Sequence, residues 1–306
     1  MPSYRLISYQ AAGGSRAGVV VDEQVFDLAT TTGNPGDSAL IGFYADWESG
    51  PTRLAAALAA GPKPAVMPLA EAKLLAPLLY PGAIYCAGAN YQDHAAEMNA
   101  RQGRPPDPDP HSLGLKAWHF IKASRAVTHP DATVTLPRAS KSVDWEVELA
   151  AVIGRPAKDV SEVRALDYVT GYLIANDLSA RDLGFREQLP PANPFRTDWL
   201  AHKSFDGSCP LGPWIVPASE IGDPQNLGLK LWVNDVLKQD SNTGKMIFTL
   251  AEQITQLSSR VTLYPGDVIL TGTPAGVGAG RGEFLKPGDV VRLWIEKIGT
   301  LTNTMA

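Results

Sequence analysis

The stretch Asp144-Trp145-Glu146-Val147-Glu148-Leu149-Ala150-Ala151-Val152-Ile153 carries an apolar residue at every odd position from Trp145 to Ile153. That period of two marks a strand with one face in a core, and it leaves Glu146 and Glu148 together on the other face. Two carboxylates at this spacing stand about 7 Å apart along a strand, and their side chains can converge on one hard cation that cancels their repulsion. A plainer alternative is an acidic, solvated face of a half-exposed strand. A second, nearly uncharged run, Tyr168-Val169-Thr170-Gly171-Tyr172-Leu173-Ile174-Ala175-Asn176, ends in Asp177. An acid at the end of a buried strand needs a donor or a metal, which makes Asp177 the natural third ligand. Three carboxylates completed by waters suit Mg²⁺ or Mn²⁺, with Ca²⁺ also accommodated, and the absence of nearby His or Cys ligands argues against zinc.

Two further segments carry chemistry. In Tyr85–Met98 a strand passes through Gly88 into a helix, where His94 and Glu97 stand at i, i+3 on one face. A carboxylate on one imidazole nitrogen orients the ring and raises its basicity, leaving the other nitrogen to activate water; a surface His–Glu pair is the alternative. Lys203, just before the Pro210–Pro213 segment read as a rigid turn, is a candidate for stabilising an enolate or carboxylate, or else a solvated lysine. The glycine-rich Leu270–Gly278 segment follows a strand, and its N–H groups are candidates for holding a substrate carboxylate. It lacks the lysine of a phosphate-binding loop, so no nucleotide cofactor is expected.

Short strands are expected at 4–9, 17–22 and 24–28, with helices at 39–47 and 52–60, forming a small α+β unit over residues 1–75. A connector from Gly61 to Pro81 holds Pro62, Pro64, Pro68, Pro77 and Pro81. Residues 76–306 are expected to be mainly β, with strands at 83–87, 143–153, 169–176, 229–233, 267–271 and 290–295 and helices at 90–100 and 251–258. The fold class is therefore α+β, mainly β: a coiled sheet barrel or roll with peripheral helices. Two irregular segments, 99–119 and 183–202, are long enough to be binding loops or lids. They supply Arg101, Arg104, Arg186 and Arg196 as candidates to clamp a distal carboxylate, and Trp118, Phe185 and Trp199 as candidates to hold an apolar tail.

Composition narrows the partners. The net charge of -5 and the lack of a basic run argue against nucleic acid and anionic membranes, leaving a small molecule as the expected partner. No apolar run approaches a membrane span, and MPSYRLISYQ does not read as a secretory signal, so a cytoplasmic location is expected. Cys86 and Cys209 are the only cysteines and read as buried fillers.

Taken in order, Asn90-Tyr91-x-Asp93-His94-x-x-Glu97, Trp145-Glu146-x-Glu148-Leu149, Asn176-Asp177-x-Ser179-Ala180-Arg181-Asp182, Lys203-Ser204-Phe205-Asp206, Gln239-Asp240-x-Asn242-Thr243 and Thr271–Gly278 resemble the fumarylacetoacetate hydrolase family. The resemblance covers roughly residues 75–306, and the first 75 are similar to the small N-terminal extension of many members. It implies that Glu146, Glu148 and Asp177 are metal ligands, that His94 and Glu97 form a water-activating dyad, and that Lys203 is the active-site lysine. It also places Asn90, Tyr91, Arg181, Gly272 and Thr273 at the substrate. The implied fold is the family's rolled β-sheet barrel, paired as a homodimer. The implied activity is hydrolytic C–C cleavage of an acylpyruvate, 2-oxo acid or β-diketone, or else decarboxylation, tautomerisation, hydration or dehydration of a 2-oxo acid or 2-oxo sugar acid through a metal-bound enolate. Two positions depart from the pattern: Gly184, where many relatives have glutamine, and Lys245, where an acidic residue is frequent.

Overall fold

The computed structural model describes residues 2–61 and 64–306; Met1, and Pro62 and Lys63 of the proline-rich connector, lie outside the described residues. The strands that organise the molecule are β1 (Arg5–Ala11), β2 (Gly14–Val21), β3 (Gln24–Asp27), β4 (Ile84–Ala87), β5 (His119–Lys122), β6 (Val147–Ile153), β7 (Val169–Asn176), β8 (Cys209–Pro217), β9 (Gly228–Val233), β10 (Val236–Asn242), β11 (Val268–Leu270), β12 (Val290–Ile295) and β13 (Gly299–Met305). The main helices are α1 (Leu40–Ala45), α2 (Gly50–Ala59), α3 (Gln92–Arg101), α4 (Trp199–Lys203) and α5 (Leu250–Arg260).

One large sheet runs in the order β3-β2-β1-β8-β7-β6-β11-β4-β5, and a smaller one in the order β10-β9-β12-β13. The class is α+β and mainly β, but each sheet path has two ends among the described residues, so the expected barrel is an open arrangement and not a closed one. Residues 1–75 also share this sheet: Leu6 of β1 pairs with Ile215 of β8, and Leu6, Val19 and Phe26 pack in one core with Ile84, Val152 and Leu270. No helix among the described residues is long and apolar enough to cross a membrane.

β6 is buried along its whole length. Its odd positions Val147, Leu149, Ala151 and Ile153 enter one core, beneath the small sheet and α5, while Ala150 and Val152 enter the core shared with β1 and β2. The plainer alternative of a solvated acidic face is thereby excluded, and Glu148 lies in the interior of a central strand. The expected strand 143–153 is also divided in two. Val143–Asp144 pairs with Ser179–Ala180, the ladder lapses at Trp145 and Glu146, and β6 then pairs with β7 from Val147↔Asn176 onward.

β8 corrects a second expectation, because the Pro210–Pro213 segment lies inside a strand and is not a turn. Proline lacks a ladder donor, and the sheet absorbs the loss with a register shift against β7 between Tyr172 and Ile174.

Candidate active site

Where the ladder lapses, side chains replace it. The Glu146 amide donates to Asn176 Oδ1 at 3.0 Å, the Val147 amide to Gln239 Oε1 at 3.0 Å, and the Asp177 amide to the Glu146 carbonyl at 3.0 Å. This stitching brings the ends of β6 and β7 together, so Glu146, Glu148 and Asp177 each offer a carboxylate oxygen within 4.8 Å of the other two. All three are buried, with side chains that line one cavity of about 200 Å³ together with His94, Arg181 and Lys203.

Three cations lie among these acids. Lys203 Nζ donates to Glu146 Oε2 at 2.9 Å and to Asp177 Oδ2 at 2.6 Å. Lys122 Nζ donates to Asp177 Oδ1 at 2.6 Å and to the Leu178 carbonyl at 3.1 Å. Arg181 bridges Asp144, at 2.9 Å from Nε, and Glu146. Burial pushes the Glu146 carboxyl up, but Lys203 and Arg181 outweigh it and hold it down at about 2. Burial likewise opposes the Lys203 charge, and Asp177 and Glu146 more than restore it, so the ammonium is held protonated. Glu148 has the opposite balance. Burial, then repulsion from Asp177 and Glu146, push its carboxyl well above the usual range, and its only hydrogen bond is from the Gly272 amide at 2.7 Å.

Counting Asp144, four buried carboxylates thus face three cations, and Glu148 is the one that makes no ion pair among the described residues. A divalent cation among three all-oxygen ligands supplies what this cluster lacks, and the donor set fits Mg²⁺ or Mn²⁺.

His94 lines the same cavity from α3. Its Nδ1 is 3.7 Å from Glu97 Oε2, an ion-pair separation and longer than the expected hydrogen bond. Glu97 is fixed by the Gly276 amide at 3.0 Å, and its neighbour Asp93 by Ser241 Oγ at 2.6 Å, the Ala275 amide at 3.2 Å and Lys245 Nζ at 3.2 Å. Lys245, one of the two departures from the family pattern, is thereby part of the brace that seats α3.

The glycine-rich turn after β11 holds protein carboxylates. Four amides in and just after it are engaged in this way: Gly272 on Glu148, Gly276 on Glu97, and Gly278 and Ala279 on Asp144 at 2.6 and 2.9 Å. Gly272 has φ +97°, and a Cβ there would lie 2.8 Å from Asn90 Cβ, so glycine is required for the close approach. Thr273 reaches the cavity wall. Asn90 and Tyr91 do not line it. The Asn90 amide group bridges the Phe248 carbonyl at 2.9 Å, the Thr271 carbonyl at 2.8 Å and the Phe248 amide at 2.8 Å, and Tyr91 is buried in the core.

The long segments close the cavity with aromatic rings. Trp118, Phe185 and Trp199 all line it, joined by Phe120 and His202. Trp199 stacks on Phe120 at 5.1 Å and on His202 at 5.5 Å, and meets Trp118 edge-on at 5.5 Å. Burial, then Lys203 and Arg181, depress the His202 imidazole to about 3 and keep it neutral. His202 fills the space over the other departure, Gly184, where a Cβ would lie 2.8 Å from its Nδ1. Arg186 and Arg196 are engaged within their own segment, on Phe195 and Asp198 and on Leu189 respectively, and Arg181 is the arginine that lines the cavity. Lys122, Asp144 and His202 carried no sequence signal of their own. Lys122 sits in an ordinary His-Phe-Ile-Lys strand, and its partner is 55 residues away.

A buried three-carboxylate pocket flanked by a His–Glu pair and a lysine is a candidate active site with the donor set for one divalent cation. Comparison with known proteins gives the class its name. Residues 83–306 match the model for the fumarylacetoacetate (FAA) hydrolase C-terminal domain. The mitochondrial oxaloacetate tautomerase of Xenopus laevis is 42% identical over 232 residues, covering 75% of this chain and 67% of that protein. The 2,4-didehydro-3-deoxy-L-rhamnonate hydrolase of Sphingomonas sp. (strain SKA58) is 41% identical over 251 residues, covering 80% and 81%. Among solved structures, maleylpyruvate hydrolase from Sphingobium sp. SYK-6, in complex with manganese(II) ion and pyruvate, matches with a TM-score of 0.74 and 30% identity over 99% of this chain and 98% of that one. The chain belongs to the fumarylacetoacetate hydrolase family.

Proposed function

We propose that this chain is a divalent-metal-dependent hydrolase that cleaves a C–C bond in an acylpyruvate-type 2-oxo acid or β-diketone. The observation that carries the reading is the convergence of Glu146, Glu148 and Asp177 on one buried point in a cavity that His94 also lines. A cation held there supplies, when bound, Lewis-acid polarisation of the substrate's oxo and carboxylate oxygens. Glu97 stands 3.7 Å from His94 Nδ1, close enough to favour the imidazolium that forms when Nε2 takes a proton from the attacking water. The hydroxide adds to the distal carbonyl carbon, and the bond from that carbon to the neighbouring methylene breaks. The electron pair stays on the methylene carbon, which takes a proton, so the products are pyruvate and a carboxylic acid. Lys203 places its ammonium where negative charge develops on the departing enolate. Trp118, Phe120 and Trp199 give the cavity an apolar aromatic rim.

The second reading is keto–enol tautomerisation, decarboxylation or hydration of a 2-oxo acid at the same site. The likeness to oxaloacetate tautomerase at 42% identity supports it. His94→Ala separates hydrolysis from decarboxylation. Hydrolysis of an acylpyruvate with Mn²⁺ falls at least a thousandfold if His94 activates water, whereas a decarboxylase, which needs no activated water, keeps its turnover. Division into residues 1–75 and 76–306, and pairing as a homodimer, form part of the same proposal.

A further inference from the structure

Beside the catalytic cavity lies a second one of about 490 Å³, with a predominantly apolar wall. The two share Gly88, Ala89 and Trp118 as a common wall. The partition is one side chain thick. The Trp118 indole lies so close to Gly88 that a Cβ there would come within 1.9 Å of it, so only glycine admits the ring at this position. Trp118 itself is half-exposed, held on its other side by the edge of Trp199.

The outer wall is the proline-rich segment after α3, and it is built and not merely draped. Asn99 Nδ2 donates to Asp107 Oδ2 at 2.8 Å, His111 Nε2 contacts Glu252 Oε1 at 2.8 Å, and the His111 ring lies 4.6 Å from that of Phe248. Leu115, Ile247, Phe248 and the small face of α3 at Ala95 and Ala96 complete the lining. Its charges are Asp107, Asp109 and Lys116, with His111 committed to Glu252 and Asp109. A substrate's distal carboxylate would meet two acids and a single lysine there, and no arginine lines either this cavity or its partition.

We propose that this second cavity is the subsite for the distal acyl group of the substrate, and that the chain takes 2-oxo acids with an extended, uncharged apolar substituent. The inference rests on the proposed function. The catalytic cavity, at about 200 Å³, holds the oxo-acid head, and the adjoining volume, within the usual range for a ligand site, receives the tail past the edge of Trp118. Specificity therefore lies in the 99–119 segment, while the chemistry lies in the β6–β7 junction.

The test uses the Mn²⁺-loaded full chain and compares acetylpyruvate, octanoylpyruvate and an octanoyl analogue ending in a carboxylate. The expected result is a kcat/KM at least tenfold higher for octanoylpyruvate than for acetylpyruvate, with the gain lost when the tail ends in a charge. Ala96→Trp, which fills the second cavity, is expected to lower the octanoyl-to-acetyl ratio at least tenfold. Equal kcat/KM for the short and long apolar substrates, or a ratio that Ala96→Trp leaves intact, overturns the subsite. If neither acetylpyruvate nor octanoylpyruvate is cleaved, it is the hydrolase reading that fails. Calorimetry then decides the subsite independently: 2-oxodecanoate binding at least tenfold more tightly than pyruvate supports it, and equal affinity overturns it.

Discussion

Replacing Lys122 with Met tests whether the buried charges form one balanced cluster. The Lys122 side chain is fully buried and its ammonium has two partners, Asp177 and the Leu178 carbonyl. Methionine keeps much of the stem's volume and removes the charge. Taking one partner from a buried ion pair costs about 3–5 kcal/mol, because the remaining charge is stranded in the interior. Asp177 retains Lys203 at 2.6 Å, which places the expected loss near the lower end, about 3 kcal/mol. For a chain of this size each kcal/mol lowers the thermal midpoint by about 2 °C, so metal-free Lys122→Met melts roughly 6 °C below the parent. A divalent cation bound by Asp177 supplies compensating charge. The variant therefore binds Mn²⁺ more tightly than the parent, and saturating Mn²⁺ narrows the gap. Urea and thermal melts with EDTA and with Mn²⁺ read both effects. A metal-free loss below about 1 kcal/mol, or a gap that Mn²⁺ leaves unchanged, refutes the reasoning.

Glu148→Gln keeps an oxygen for the Gly272 amide while removing the carboxylate that makes no ion pair, so the metal-free protein stays folded and Mn²⁺ affinity by calorimetry falls at least a hundredfold; unaltered affinity would exclude Glu148 as a ligand. The His111 clamp gives a pH signature. Hydrogen bonds to Glu252, then Asp109, raise its imidazole above the ordinary value, so its contribution to holding the 99–119 segment is complete below pH about 6.5 and is lost as pH rises through the raised value. Amide exchange in residues 106–116, corrected for intrinsic rates, is expected to speed up across that rise in the parent and to be insensitive to it in His111→Ala.

Much of the site was legible because its chemistry is written in local patterns. The uncharged run ending in Asp177 and the alternation around Glu146 and Glu148 pointed to three carboxylates that the fold brings together, and His94 and Glu97 share a helix face as their spacing requires. Glu146 and Glu148 do converge with Asp177, but in the interior and not on a solvated face. β6 is buried on both faces, a feature that alternation cannot reveal when small residues such as Ala150 occupy the second face. β10 was missed because Val236–Asn242 is an edge strand with polar and exposed residues, and β8 because its prolines read as a turn. Lys122 and Asp144 were illegible because their value depends on partners brought together only by the fold: Asp177 for Lys122, and Arg181 and the Gly278 amide for Asp144. The glycine-rich turn was visible, but not that several of its amides would hold Glu148, Glu97 and Asp144 in place.

The most direct test of the account is turnover of acylpyruvates by the purified chain with Mg²⁺ or Mn²⁺ and with EDTA. Release of stoichiometric pyruvate and carboxylic acid that stops with the chelator and returns with the metal is the predicted result. Cleavage that persists in metal-free protein contradicts the central claim, and keto–enol interconversion or CO₂ release without cleavage moves the chain to the tautomerase or decarboxylase reading.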